Sequence, residues 1–134
     1  MKVFLSYSQA DRVVARELAT RITEAGHEVW FADDEIYPGD NVARKAGQAL
    51  DKARAMVVLI SPAAMKSINV MQEVQFALGA CQYRGRLIPV IIKATPDMPW
   101  ILKKFPVVRL GKDLDEACRE IADYIEHGFE LTPA

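Results

Sequence analysis

Ala55-Met56-Val57-Val58-Leu59-Ile60 is an unbroken apolar run, bounded by Arg54 on one side and Ser61-Pro62 on the other. Its length and makeup are those of a buried strand. Four runs of the same character, rich in Val, Ile, Leu, Phe, Tyr and Trp, lie at 2–7, 28–31, 87–92 and 107–110. Between them the spacing becomes helical. Val14, Leu18 and Ile22 repeat at four, whereas Val70, Val74, Ala77 and Cys81, and then Leu114, Cys118, Ile121 and Ile125, step by four, three and four. Ser8 with Asp11 fits a capping box, Gly26 a C-terminal cap and Asp113 an N-cap of the last helix. The pattern between Asn41 and Arg54 is a weaker helix.

Five apolar strands alternating with helices require a parallel sheet covered on both faces, and right-handed crossovers leave few topologies for such a chain. The expectation is an α/β flavodoxin-like three-layer sandwich, its five-stranded parallel sheet in the order 2-1-3-4-5. The 134 residues, without repeat, linker or low-complexity tract, read as one domain, with surface loops at 32–41 and 93–99.

Seventeen Lys and Arg against eighteen Asp and Glu give a charge of −1, which supplies no basic field for nucleic acid or an anionic membrane. Apolar residues at 51% and charged residues at 26% exclude disorder as the main theme. No apolar stretch approaches the roughly 18 residues of a membrane span, and the N-terminus has too short an apolar region for a signal peptide. A cytoplasmic protein is expected. Cys81 and Cys118 lack Cys-x-x-Cys spacing and His27 and His127 stand apart, so neither a disulfide nor a metal site is expected.

In open parallel sheets ligands bind beyond the carboxyl ends of the strands, where the winding reverses. For order 2-1-3-4-5 that point lies between the first and third strands. It receives Ser6-Tyr7-Ser8, the segment from Asp33 to Asn41, and Ser61-Pro62 with the helix that follows. On this helix Glu73 lies about 100° from Val74, at the edge of the buried stripe, where a carboxylate can face the cleft. Position alone is better met by a solvated flank residue favoured by the helix dipole.

Five stretches, read together, narrow the choice: Phe4-Leu5-Ser6-Tyr7-Ser8 followed by Asp11; Gly26-x-x-Val29-Trp30-Phe31-x-Asp33; Pro38-Gly39-Asp40; Val57-Val58-Leu59-Ile60-Ser61-Pro62; and Ser67-x-Asn69-Val70-x-x-Glu73. In order and spacing they resemble the TIR (Toll/interleukin-1 receptor) domain family, bacterial type, from residue 2 to about residue 125. The resemblance implies a flavodoxin-like fold, a first box at Phe4 to Ser8 and a second at Pro38-Gly39. It places Glu73 where NAD-cleaving members carry their catalytic glutamate. Many active members have a tryptophan four residues before that glutamate, where this chain has Asn69; Trp30, Phe31 and Tyr37 are the candidates to replace it.

The resemblance implies a glycohydrolase or cyclase that takes NAD+ as substrate with no further cofactor, in bacterial anti-phage immunity. It also implies self-association with other such domains. One carboxylate suffices for the chemistry, because nicotinamide leaves a pyridinium as a neutral group and needs no general acid. Beside Glu73 as catalytic residue, the candidate substrate-binding residues are Ser6, Tyr7, Ser8, Trp30, Asp33, Pro38, Gly39, Ser67 and Asn69. Several have a plainer role available. Ser6 and Tyr7 can satisfy strand-end backbone groups, Ser61 and Ser67 can cap helices, Pro38-Gly39 can be a turn, and Trp30 can be core. Asp33-Asp34-Glu35 reads as a solvated acidic cluster, with no magnesium site implied. The alternative function is a non-catalytic TIR scaffold in signalling. A phospho-accepting receiver domain is excluded, since Ser6-Tyr7 and Ser61-Pro62 stand where it needs acidic residues.

Overall fold

The apolar run at 55–60 is the middle strand of a five-stranded sheet in the computed structural model, which describes residues 1–111 and 113–129. The strands are β1 (Lys2–Ser6), β2 (Glu28–Trp30), β3 (Ala55–Ile60), β4 (Leu87–Ile91) and β5 (Val108–Arg109). They lie in the order β2-β1-β3-β4-β5 and every pairing is parallel. The expected topology is therefore observed. Helices α1 (Arg12–Glu24), α2 (Ala32–Glu35), α3 (Val42–Lys52), α4 (Pro62–Met65), α5 (Ile68–Gly79) and α6 (Leu114–His127) connect and cover the strands.

All six residues of β3 are completely buried because helices cover both faces. Alternation then sorts them between two cores. Val57 and Leu59 join Val3, Leu5 and the buried stripes of α1 and α6; Met56, Val58 and Ile60 join Phe4, Leu50 of α3 and Val70 and Val74 of α5. Each of Val57, Val58, Leu59 and Ile60 contributes roughly 1.5–3 kcal/mol by leaving water. Both outer strands are short, three residues in β2 and two in β5. Pro89 is tolerated inside β4 because β5 begins opposite Val90, so no β5 residue stands across from it.

The caps follow the sequence in most places. Gly26 takes φ +100° just after α1, a region open to glycine, while Asn41 and Asp113 accept the backbone N–H of Arg44 and Glu116. Three expectations need correction. Ser8 accepts from the Ala10 N–H and caps only a 3-10 turn, Gln9–Asp11, while the Asp11 side chain makes no capping bond to α1, so the reciprocal box is not formed. The 32–41 segment is no plain loop, since it opens with α2 and closes with a turn. Cys81 does not extend the stripe of α5, which stops at Gly79; Cys81 is exposed and Tyr83, in the 3-10 turn Cys81–Tyr83, is buried in its stead.

Candidate active site

Ser6 closes β1 on the same sheet face as Phe4, two residues back, and so points toward α5 rather than α1. Glu73 comes to meet it. The Ser6 hydroxyl donates to Glu73 Oε1 at 2.7 Å, joining the end of β1 to the helix that follows β3, across the point where the winding reverses. Burial pushes the Glu73 carboxyl above the usual carboxylate range, and the Ser6 hydrogen bond pulls partly against it. Glu73 keeps part of its surface exposed, whereas Ser6 is 1% exposed.

The start of α5 is built by two capping serines. Ser61 accepts the Ala64 N–H at 3.0 Å to begin α4, and Ser67 accepts the Val70 N–H at 3.3 Å to begin α5. Both are the cap residues the sequence suggested. Asn69 is exposed, four residues before Glu73 and hence on the same helix face.

Tyr7 and Asp33 belong to the opposite side of the sheet. Tyr7 stacks on Phe31 at 5.0 Å within the α1 side, and the Arg16 guanidinium covers the Phe31 ring at 4.8 Å. The Tyr7 hydroxyl donates to Asp33 Oδ1 at 2.5 Å, and Gln9 Nε2 donates to the same oxygen at 2.9 Å. These bonds, Tyr7's first, hold the Asp33 carboxyl below its ordinary range, while burial and then the Asp33 partner push the Tyr7 phenol up. Asp34 pairs with Arg16 at 3.0 Å. Successive strand residues face opposite ways, so of Ser6, Tyr7 and Asp33 the Ser6 side chain alone bonds Glu73, while Tyr7 and Asp33 bond each other. Phe31 is buried among the α1-side residues, on the side away from Glu73.

Trp30 does lie on the side of Glu73. Its ring stacks on Phe4 at 4.9 Å, and it also lines a cavity of about 310 Å³ between β2 and α3 with Glu35, Lys45 and Gln48. The lining of that cavity includes neither Ser6 nor Glu73. Pro38 and Gly39 occupy the middle of a turn closed by the Asp40 N–H on the Tyr37 carbonyl at 3.0 Å, and Gly39 at φ +89° makes it type II. Lys45 of α3 fastens this turn. Its ammonium contacts Asp40 at 2.8 Å, donates to the Glu35 carbonyl at 2.9 Å and lies 5.1 Å from the Tyr37 ring.

Sequence reasoning missed Lys45 and the partner of Asp11. The Asp11 carboxylate, in a residue 5% exposed, accepts from the Ser61 hydroxyl at 2.5 Å. No local pattern distinguishes this from a helix cap. For Lys45 the signal was present, a lysine one turn into a helix that follows an acid-rich turn. Among the described residues no group of three or more His, Cys, Asp or Glu is placed to hold a metal ion.

A family model for the TIR domain matches residues 3–122. The chain belongs to the TIR domain family. Two bacterial TIR proteins are similar over 127 residues: the 2' cyclic ADP-D-ribose synthase BtTIR of Bacteroides thetaiotaomicron, 27% identical over 92% of this chain and 43% of that protein, and the NAD(+) hydrolase PdTIR of Paracoccus denitrificans (strain Pd 1222), 29% identical over 89% and 42%. The chain therefore spans about two fifths of the length of the curated relatives it matches. The crystal structure of the TIR domain of the Toll-related receptor TRR-2 from Hydra magnipapillata superposes with a TM-score of 0.78 at 20% identity, covering 93% of this chain and 98% of that one. That likeness shows the TIR fold.

Proposed function

We propose that this chain is a single TIR domain, residues 1–134, which cleaves the nicotinamide–ribose bond of NAD+ with Glu73 as its catalytic residue. The observation that carries the proposal is the Ser6 to Glu73 hydrogen bond, which holds a partly buried carboxylate at the carboxyl edge of the sheet. Two relatives whose names are NAD(+) hydrolase and 2' cyclic ADP-D-ribose synthase support the choice of substrate.

The bond between ribose C1' and the pyridinium nitrogen breaks with its electron pair going to nitrogen, so nicotinamide departs neutral and positive charge develops on the ribose. A fixed carboxylate in a desolvated position stabilises that charge without transferring a proton. Ser6 aims it. Water then adds at C1' and loses a proton to give ADP-ribose, or another atom of the same ADP-ribose unit attacks C1' and gives up its proton to solvent, giving a cyclic product. No cofactor enters this scheme.

In this reading Trp30, on the same sheet side, supplies the aromatic surface that Asn69 does not. Tyr7, Ser8 and Asp33 shape the neighbouring loop, while Ser67 sets the start of the glutamate's helix. The turn at Pro38-Gly39, with Tyr37 63% exposed and Val42 51% exposed beside it, meets a second protomer and encloses NAD+. The protein acts in the bacterial cytoplasm in anti-phage signalling; two free cysteines suit a reducing compartment. No helix among the described residues is long and apolar enough to cross a membrane. The deciding experiment incubates purified protein with NAD+ and resolves the products by chromatography. Release of nicotinamide by the unmutated chain and none by Glu73→Gln is expected; intact NAD+ with both leaves the scaffold role.

A further inference from the structure

We propose that Asp11 is a positioning residue for Glu73, acting through a run of hydrogen bonds joined by short chain segments that starts and ends at the carboxyl end of β1. Asp11 stands five residues after Ser6, and its carboxylate accepts from the Ser61 hydroxyl at 2.5 Å. Ser61, completely buried at the end of β3, uses the same oxygen to accept the Ala64 N–H. The Ala64 carbonyl accepts the Ser67 N–H at 3.1 Å, and the Ser67 hydroxyl accepts the Val70 N–H at 3.3 Å. Glu73 follows three residues along that helix and returns the run to Ser6 at 2.7 Å. Two serine–carboxylate pairs therefore cross: the serine that ends β1 holds the acid after β3, and the serine after β3 holds the acid after β1.

Asp11 is not explained by helix capping, since its side chain makes no bond to the first turn of α1. A carboxylate buried this deeply is unfavourable unless it is hydrogen-bonded, and the bond it makes fixes the direction in which α4 and α5 leave the sheet. Loosening that exit lets Glu73 drift from Ser6 and from the position where charge develops, and displacements of about 1 Å can cost on the order of 10²-fold in rate.

The test follows the Glu73 carboxyl directly, by NMR titration of protein carrying 13C-labelled glutamate, with the Glu73 signal assigned by its absence in Glu73→Gln. NAD+ turnover is measured beside it. For Asp11→Ala, Glu73 is expected to titrate at higher pH because the Ser6 bond is weakened, and kcat is expected to fall about tenfold or more with KM moving less than about threefold. Asp11→Asn, whose amide oxygen still accepts from Ser61, should restore both to near the parent values. Should Asp11→Ala fail to fold, Asp11→Ser replaces it, since serine is too short to reach Ser61. A folded Asp11→Ala or Asp11→Ser protein with an unshifted Glu73 titration overturns the proposal. The turnover arm rests on the proposed function, whereas the titration arm does not. If the unmutated chain leaves NAD+ intact, that function fails and the Glu73 titration still decides the role of Asp11.

Discussion

The Ser6 hydroxyl donates to Glu73 across the seam between β1 and β3, 67 residues apart in the chain, and opposes the burial that raises this carboxyl. The same bond lowers the proton affinity of Glu73 and limits where its oxygens can point.

Exchanging Glu73 for Gln separates function from stability. Losing charge stabilisation in the transition state costs about 2.7–4 kcal/mol, so turnover should fall by roughly 10²–10³ or more. Stability should move the other way. A carboxyl whose folded pKa is raised binds more protons folded than unfolded, so its stabilising contribution is present at acid pH and disappears as pH rises through the folded pKa. Glu73→Gln should therefore melt no lower than the parent at pH 7 and lose any advantage in acid, as thermal scans at both ends will show.

Catalysis by the ionised form predicts an acid limb in the rate profile above the range of an exposed glutamate. Ser6→Ala removes the one interaction that lowers the Glu73 carboxyl, and the limb should move further up. Profiles of kcat/KM, which report ionisations of the free enzyme, provide the measurement for the two proteins; coincident limbs would separate Glu73 from the rate.

Gly39 offers a test of assembly. Its φ of +89° excludes proline, while a side chain there would meet no atom within 4 Å. Gly39→Pro should thus distort the turn without disturbing the sheet, reducing self-association and turnover together. The unmutated protein should lose specific activity on dilution, and sedimentation at matching concentrations should show the loss of assemblies. Activity constant over a hundredfold dilution, taken as about two decades of concentration, would point to a self-contained site.

The two cysteines should differ in reactivity. Cys81 is exposed, whereas Cys118 is half-buried and its thiol is pushed up first of all by that burial. Iodoacetamide at neutral pH should label Cys81 well before Cys118 by mass spectrometry, and labelling of Cys81 alone should leave turnover intact.

The sheet was legible because β3 carries its burial in an uninterrupted apolar run and the helical stripes between strands match caps such as Asn41 and Asp113. The end of α5 was not legible, because a four-three-four pattern continues to Cys81 although the chain turns after Gly79. The turn lets Tyr83 enter the core and donate its hydroxyl to the Leu50 carbonyl at 2.6 Å, a contact between distant segments that no local period encodes. In the candidate site, the link between Glu73 and the first strand was readable from topology. The division of Ser6 from Tyr7 was readable too, from strand alternation, but the shared sequence box hid it. Asp11 depends on Ser61, a partner fifty residues away brought close only by folding, whereas Lys45 reaches Asp40 and Glu35, close before it in the chain.

A sheet whose outer strands have only three and two residues presents almost no free ladder of N–H and C=O groups to another chain. Copies of this domain therefore have little means of fusing edge to edge into a continuous sheet, the route that ends in fibres. Crowding them together leaves loops and helix faces as the surfaces available for contact. Short margins leave any meeting of copies to surfaces other than the sheet.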